Sequence, residues 1–469
     1  MTRSGLAIAV LVIAGAALLR WPGLGTDLWL DELWARRMAI AMPSAFTTFT
    51  LHHEVNHHLT TLWFYLTGPD ASAQVYRLPS YVVGIGTVAV AGLSGWRRSG
   101  ATAVFAMLLT AASYELIVFS SEARGYSMAV FCTLLSFLLL ELYFERARKW
   151  TLVAYAAVAT IGLFSHPVFS TVLASACVWS ALRWWQSNRR SMASAAAAIT
   201  PHVVPLVALA ALYFGDLNHV VSGGGTGTPS LVDAYVQSLA WTFGAPEEAA
   251  FKWAAAVIAV VVIVAGAFAA NQSSRGSAAF FLGAIVVFPN LALVLRGSEM
   301  VYTRHFLLGS TLTLLLLAYL LGSLWERGRG WRPGAAAALV IFGAANGLHF
   351  QTFLERGRGH YQEAIRYMAE RTAGPVTIAA DHDFRVGLEL DYYLRRVLGS
   401  RPAAFLPEGA WPKGGPAWVV ANADHYEAPT LPHNVYVDAA GNQYEHYRTI
   451  PTAPLTGLHW FLFRNRVPH

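Results

Sequence analysis

Long apolar runs, separated by short connectors that carry most of the arginines, fill the first three-quarters of this chain. Runs able to cross about 30 Å of hydrocarbon as helix fall near 5–20, 76–93, 101–118, 125–144, 151–164, 167–185, 194–214, 252–270, 277–295, 305–324 and 333–350. That pattern predicts about eleven membrane-spanning helices. Only Ser165-His166-Pro167 separates the fifth run from the sixth. The proline favours a tight reversal there, with one kinked helix as the alternative.

The connectors test the count. Arg97-Arg98, Arg146/Arg148/Lys149, Arg183/Arg189/Arg190, Arg275 and Arg327/Arg329/Arg332 all fall on one side if eleven runs cross. Positive charge marks that side as cytoplasmic. The other side then receives the long loops 21–75 and 215–251, the short connectors near 119–124 and 296–304, and the tail after 350. A signal peptide is the alternative reading of the first run, but Arg20-Trp21-Pro22 reads as an interfacial anchor.

From about 357 the pattern changes. Residues 361–368 are amphipathic helix, Val376–Ala380 a strand, 384–397 a helix, and 417–421 and 458–464 strands. The expectation is therefore an all-α polytopic membrane domain over 1–355, followed by a small α/β domain outside the cytoplasm over 356–469. Ser222–Thr228, rich in glycine, reads as a flexible hinge. Glu247-Glu248 reads as the cap of the helix that enters the eighth run.

Composition agrees. The 469 residues are 55% hydrophobic and 13% charged, with a mean hydropathy of +0.43, far too apolar for a soluble protein of this size. The net charge of +6 sits in short connectors between apolar runs, which explains it by membrane orientation and excludes a nucleic-acid partner. Cys132 and Cys177 both lie inside apolar runs, so no disulfide framework is expected.

The few charged motifs then stand out. Asp31 and Glu32, in Trp29-Leu30-Asp31-Glu32-Leu33-Trp34, open the first external loop. Aromatic surroundings raise a carboxylate's basicity and suit a general base; a helix N-terminal acid beside interfacial tryptophans is the structural alternative. Glu122 and Arg124 lie where a run ends on the same side. There an arginine can grip a phosphate oxyanion, or the pair can satisfy itself. His52, His53, Glu54, His57 and His58 form the densest polar cluster, without the His-Glu-x-x-His zinc spacing. Substrate contact, metal binding and a solvated loop all remain open for it. Arg304-His305, after Glu299 and Tyr302, could bind an anionic headgroup or anchor its helix. His166 reads as a structural turn residue.

Taken together, Leu-Trp-Leu-Asp31-Glu32, Arg77-Leu-Pro-Ser80, Ser-Ser-Glu122-Ala-Arg124-Gly-Tyr126 and Tyr302-Thr-Arg304-His305 resemble the GT-C superfamily of membrane glycosyltransferases. The likeness runs over roughly 5–350 and is strongest to the family 39, protein O-mannosyltransferase and lipid A aminoarabinose transferase branch. It implies Asp31 as the catalytic acid of the first loop and Glu122 as the acid of the second, with Glu32 sharing the catalytic set. Arg124, Tyr126, His57, His58, Arg304 and His305 are the candidate substrate contacts, the role of His58 being open. Where that family has His-Pro-Pro-Leu or Asn-His-Pro-Leu, this chain has Asn56-His57-His58-Leu59, so His58 stands where proline is usual.

The implied reaction moves a sugar from a polyprenyl-phosphate donor to an acceptor hydroxyl on an envelope lipid, glycan or protein, with inversion. It would occur at the external face of a bacterial inner membrane, with membrane lipids as the surroundings. No cofactor is required by the sequence, and a divalent cation is the one that its acids and histidines would accommodate. The rival is a transporter or flippase, but such proteins place ionisable groups near the midplane in paired halves, and neither pattern is seen here. The topology is testable: a reporter active only in the cytoplasm should be silent when fused at residue 355, and one active only outside should report.

Overall fold

The structure is a computed structural model that describes residues 3–53, 55–187, 191–220, 230–246, 248–297, 301–424 and 434–466. The expected hinge at 222–228, Glu54, Glu247 and Glu299 lie outside the described residues. By packing, the chain divides into two compact units. One comprises Met1–Trp21, Met42–Thr67 and Tyr76–Leu348; the other comprises Pro22–Ala41, Gly68–Val75 and His349–His469.

In the first unit every expected run is helical, as it must be where no water is present to satisfy backbone groups. Among the described residues, eight helices are long and apolar enough to cross a membrane. The fifth and sixth runs form separate helices, Lys149–Ser165 and Phe169–Trp185, each of 17 residues. Further helices occupy parts of the expected loops: Leu30–Ala41, His58–Thr67 and Leu231–Phe243. Glu248 stands at the N-cap of Ala249–Ser273, but its side chain makes no capping bond.

The third run is broken. Helix Gly100–Ala112 ends at Ser113, whose backbone is extended, and Tyr114–Phe119 begins at once. A break inside an apolar unit leaves helix-end carbonyls and N–H groups to satisfy. Arg20 reaches across from the first helix and donates to the carbonyls of Thr110 (3.1 Å) and Ala111 (3.2 Å). Asn346 accepts from the Tyr114 N–H at 2.8 Å and donates to the carbonyls of Phe342 and Phe243. Arg20, expected as an interfacial anchor, is instead fully buried: a guanidinium with several donors serves the freed carbonyls better than it serves the surface. Trp21 beside it is exposed.

At the opposite end of these helices, Arg97 and Arg98 converge on Glu141 with contacts of 2.6–2.8 Å. That bidentate pairing ties Ala73–Trp96 to Tyr126–Arg146. Close helix contact needs small residues, and at Gly322 a Cβ would lie 2.1 Å from the Thr102 hydroxyl. Around Trp179, the rings of Phe137, Phe144 and Phe280 pack at 5.4, 4.9 and 5.7 Å.

The second unit is built on a six-stranded mixed sheet: β1 (Val376–Ala380), β2 (Ala403–Phe405), β3 (Trp418–Asp424), β4 (Val435–Val437), β5 (Gln443–Ile450) and β6 (Leu458–Asn465). Their spatial order is β2-β1-β3-β6-β5-β4, parallel across the first three strands and antiparallel across the rest. The expected helices are Tyr361–Glu370 and Asp383–Leu398. Three strands were not anticipated. β2 and β4 have three residues each, and β5, Gln-Tyr-Glu-His-Tyr-Arg-Thr-Ile, is mostly polar and bulged between His446 and Arg448.

The break supplies a stability test. Arg20→Leu or Asn346→Leu leaves buried backbone groups unpaired, and each should cost about 1–3 kcal/mol. Thermal unfolding in detergent should show both midpoints lowered, with Asn346→Asp milder because it keeps the acceptor for Tyr114.

Candidate active site

The motif Ser121–Tyr126 turns the chain from Tyr114–Phe119 into Tyr126–Arg146. Serine hydroxyls stop the first helix by donating back to its carbonyls: Ser120 to Leu116 at 2.6 Å and Ser121 to Ile117 at 3.0 Å. A neighbouring helix then fixes the turn. Ser80, from the Arg77-Leu-Pro-Ser80 stretch, donates to the Arg124 carbonyl at 3.2 Å, and Ser127 donates to the Ser80 carbonyl at 2.8 Å. Gly125 is dictated by space, because a Cβ there would sit 1.8 Å from the Ser165 carbonyl oxygen and 3.0 Å from His57 Nδ1. The turn is thereby pressed against Ser165-His166.

Three rings gather at this point. Tyr126 lies 4.2 Å from His166 and 5.5 Å from His57, and the two imidazoles are 4.7 Å apart. The Arg124 guanidinium stands over the Tyr126 ring at 4.9 Å, in cation–π range. Glu122 is fully buried, with Oε2 4.0 Å from Arg124 Nη1. Arg304 lies in the turn Thr303–Phe306, 3.9 Å over the Tyr302 ring, and His305 Nδ1 accepts from the Tyr302 N–H at 3.4 Å.

Electrostatics unite these groups. Burial, followed by the fields of Arg124, His58 and Arg304, holds His57 well below the usual histidine range. Burial, followed by His57, His305, Arg124 and Arg304, does the same to His166. Both imidazoles are therefore neutral at physiological pH. Arg124 and Arg304 both act on neutral rings, and a pair of guanidiniums beside uncharged imidazoles favours an anion.

The remaining sequence-derived candidates have partners of their own. His58 turns away from His57 and bonds Asp216 through Nε2 at 2.8 Å. His52 donates its N–H to the same carboxylate at 2.7 Å, and Asn56 Nδ2 contacts it at 3.4 Å. His53 Nδ1 accepts from the Val55 N–H at 3.3 Å. Asp216 thus latches the histidine-rich stretch. The sequence signal for it was a lone acid directly after an apolar run. Asp31 and Glu32 belong to the other unit, in the first turn of Leu30–Ala41, where buried Glu32 accepts from the Trp29 N–H at 3.3 Å. Among the described residues, no group of three or more His, Cys, Asp or Glu side chains is placed to hold a metal ion.

Sequence reasoning also missed Glu115. It is fully buried, faces the Ser310 hydroxyl, and lies on the half-helix that leads into Glu122. Its only sequence signal was an acid inside an apolar run.

Over 98% of its length, the chain superposes on 98% of the crystal structure of ArnT from Cupriavidus metallidurans in the apo state, with a TM-score of 0.53 at 12% identity. The chain has a GT-C fold. A structure of the same ArnT bound to undecaprenyl phosphate aligns over 98% of both chains, at 14% identity and a TM-score of 0.44. The archaeal oligosaccharyltransferase AglB from Archaeoglobus fulgidus, in complex with an inhibitory peptide and a dolichol-phosphate, aligns over 90% of this chain and 69% of its own, at 11% identity and a TM-score of 0.43. No family model matches the sequence, and no curated relative does. The GT-C fold is thus carried by a sequence only 12% identical to that ArnT.

The neutral histidines make stability pH-dependent. A histidine depressed below its unfolded value binds its proton more readily in the unfolded chain, so stability falls as pH drops below about 6.5. His57→Gln with His166→Gln should flatten the decline of the thermal midpoint between pH 7 and 5.

Proposed function

We propose that this protein is a membrane glycosyltransferase that moves a sugar from a polyprenyl-phosphate donor to an acceptor hydroxyl outside the cytoplasm. The observation that carries the reading is the buried Glu122–Arg124 turn with Arg304 and two neutral histidines, in a chain with a GT-C fold. Such a site suits a phosphate oxyanion. ArnT has been solved bound to undecaprenyl phosphate. A lipid-linked donor also agrees with the absence of a dinucleotide-type Gly-x-Gly-x-x-Gly turn from the sequence.

In this reading the acceptor oxygen attacks the anomeric carbon as the bond from that carbon to the phosphate oxygen breaks, inverting the centre. Asp31 takes the acceptor proton. The departing lipid phosphate keeps the bonding electron pair, and its charge is met by Arg124 and Arg304. Glu122 holds the Arg124 fork in place. The uncharged imidazoles of His57 and His166 accept or donate single hydrogen bonds without competing for the anion. The acceptor class is an envelope lipid, glycan or protein.

The deciding experiment incubates the purified protein with labelled polyprenyl-phosphate sugars and follows sugar release and transfer. Asp31→Asn should lower turnover by about 10²–10⁴-fold while leaving donor binding intact. Arg124→Lys should weaken binding of polyprenyl phosphate because lysine lacks the planar fork. Wild-type turnover in Asp31→Asn would remove Asp31 from the base role. Undiminished binding in Arg124→Ala would transfer the phosphate to Arg304.

A further inference from the structure

The segment Pro22–Ala41, which carries Asp31, packs in the same compact unit as the C-terminal sheet and its helices. It is held there residue by residue. Fully buried Arg358 donates to the Gly23 carbonyl at 3.0 Å and to the Thr26 hydroxyl at 2.8 Å. Gln362 meets the Asp27 carboxylate twice, through its backbone N–H at 2.9 Å and Nε2 at 2.6 Å. The Tyr393 hydroxyl donates to the Leu28 carbonyl at 2.9 Å. Glu389 accepts the Leu30 N–H and, at 3.1 Å, the Trp460 indole N–H. Trp34, one turn beyond Asp31, packs edge-on against Phe384 at 4.5 Å.

These contacts are more specific than docking requires. These hydrogen bonds to the segment all address the stretch 23–30, at three carbonyl or N–H groups, the Thr26 hydroxyl and the Asp27 carboxylate, and together they fix the entry to helix Leu30–Ala41 up to the residue before Asp31. The Glu389 contact is costly to build: a fully buried carboxyl is tolerated only where its partners are fixed. Burial raises it well above the usual carboxyl range. A surface loop needing no defined geometry would not be given four polar anchors within eight residues.

We propose that the C-terminal domain is a positioning clamp for Asp31, with Gln362, Tyr393 and Glu389 acting through the backbone of residues 27–30. The inference rests on the reading of Asp31 as the base. None of the three touches the reacting atoms; each sets the direction of the first helical turn, and with it the Asp31 carboxylate. Small misplacement of a catalytic group is expensive in rate, and supporting residues typically carry about 10–100-fold.

Gln362→Ala, Tyr393→Phe and Glu389→Ala in the full-length protein should each lower kcat by about 10–100-fold with little change in KM for the lipid donor. Glu389→Gln, which keeps an acceptor oxygen for the Leu30 and Trp460 N–H groups, should restore most of the rate. Hydrogen exchange should quicken at residues 28–33 in these variants while β1, β3 and β6 stay protected, which separates a loosened clamp from an unfolded domain. On an Asp31→Asn background, the same substitutions should change the residual rate by no more than about twofold, since residues acting as one unit are not additive. Loosened segments with wild-type kcat would overturn the clamp, as would equal losses with and without Asp31. An Asp31→Asn enzyme as fast as wild type would instead sink the base reading, leaving the exchange data to judge the clamp's mechanics.

Discussion

A buried backbone amide must find a partner, and in this molecule that demand organises the candidate site. The third apolar run is interrupted at Ser113, and Arg20 and Asn346 meet the consequence. By meeting the freed carbonyls and N–H groups, they make the break a fixed bend. The half-helix Tyr114–Phe119 then ends in the serine-stopped turn that presents Glu122 and Arg124. Without those two partners the break would be a local defect, and the turn would have no defined origin.

The same economy governs the charges. Glu122 and Arg124 are both buried, a state that costs several kcal/mol per ion unless geometry and hydrogen bonds compensate. Their charged atoms stand 4.0 Å apart, longer than a close ion pair. Keeping His57 and His166 neutral avoids additional repulsion beside Arg124 and Arg304.

What the sequence made legible follows from which signals are local. Apolar runs mark helices because hydrocarbon permits little else, so Met192–Gly215 or Leu307–Glu326 could be read directly. The Ser-Glu-Ala-Arg-Gly-Tyr motif was visible for a similar reason, as charge is rare where it sits. Partnerships at long separation were not visible. His58 and Asp216 lie 158 positions apart, and nothing near either one announces the other. Arg20 misled because an arginine at the end of a span usually anchors it, and only the distant break at Ser113 gives it another task. β5 escaped because its polar alternation resembles a loop until β6 supplies the apolar face beside it.

The division of the chain into units that are not contiguous in sequence carries its own logic. Segments 22–41 and 68–75 leave the helical unit and return to it, spending those residues in the unit of the C-terminal sheet. A loop that needed only to bridge two spans could do so in far fewer residues. Threading it through a folded domain gives its backbone partners that an isolated loop in water would lack, at Arg358, Gln362, Tyr393 and Glu389. Conformational entropy that a free loop would retain, about 1–2 kcal/mol per residue, is surrendered in exchange for a fixed approach to the Asp31 helix. The return is order at a carboxylate whose chemistry would depend on direction.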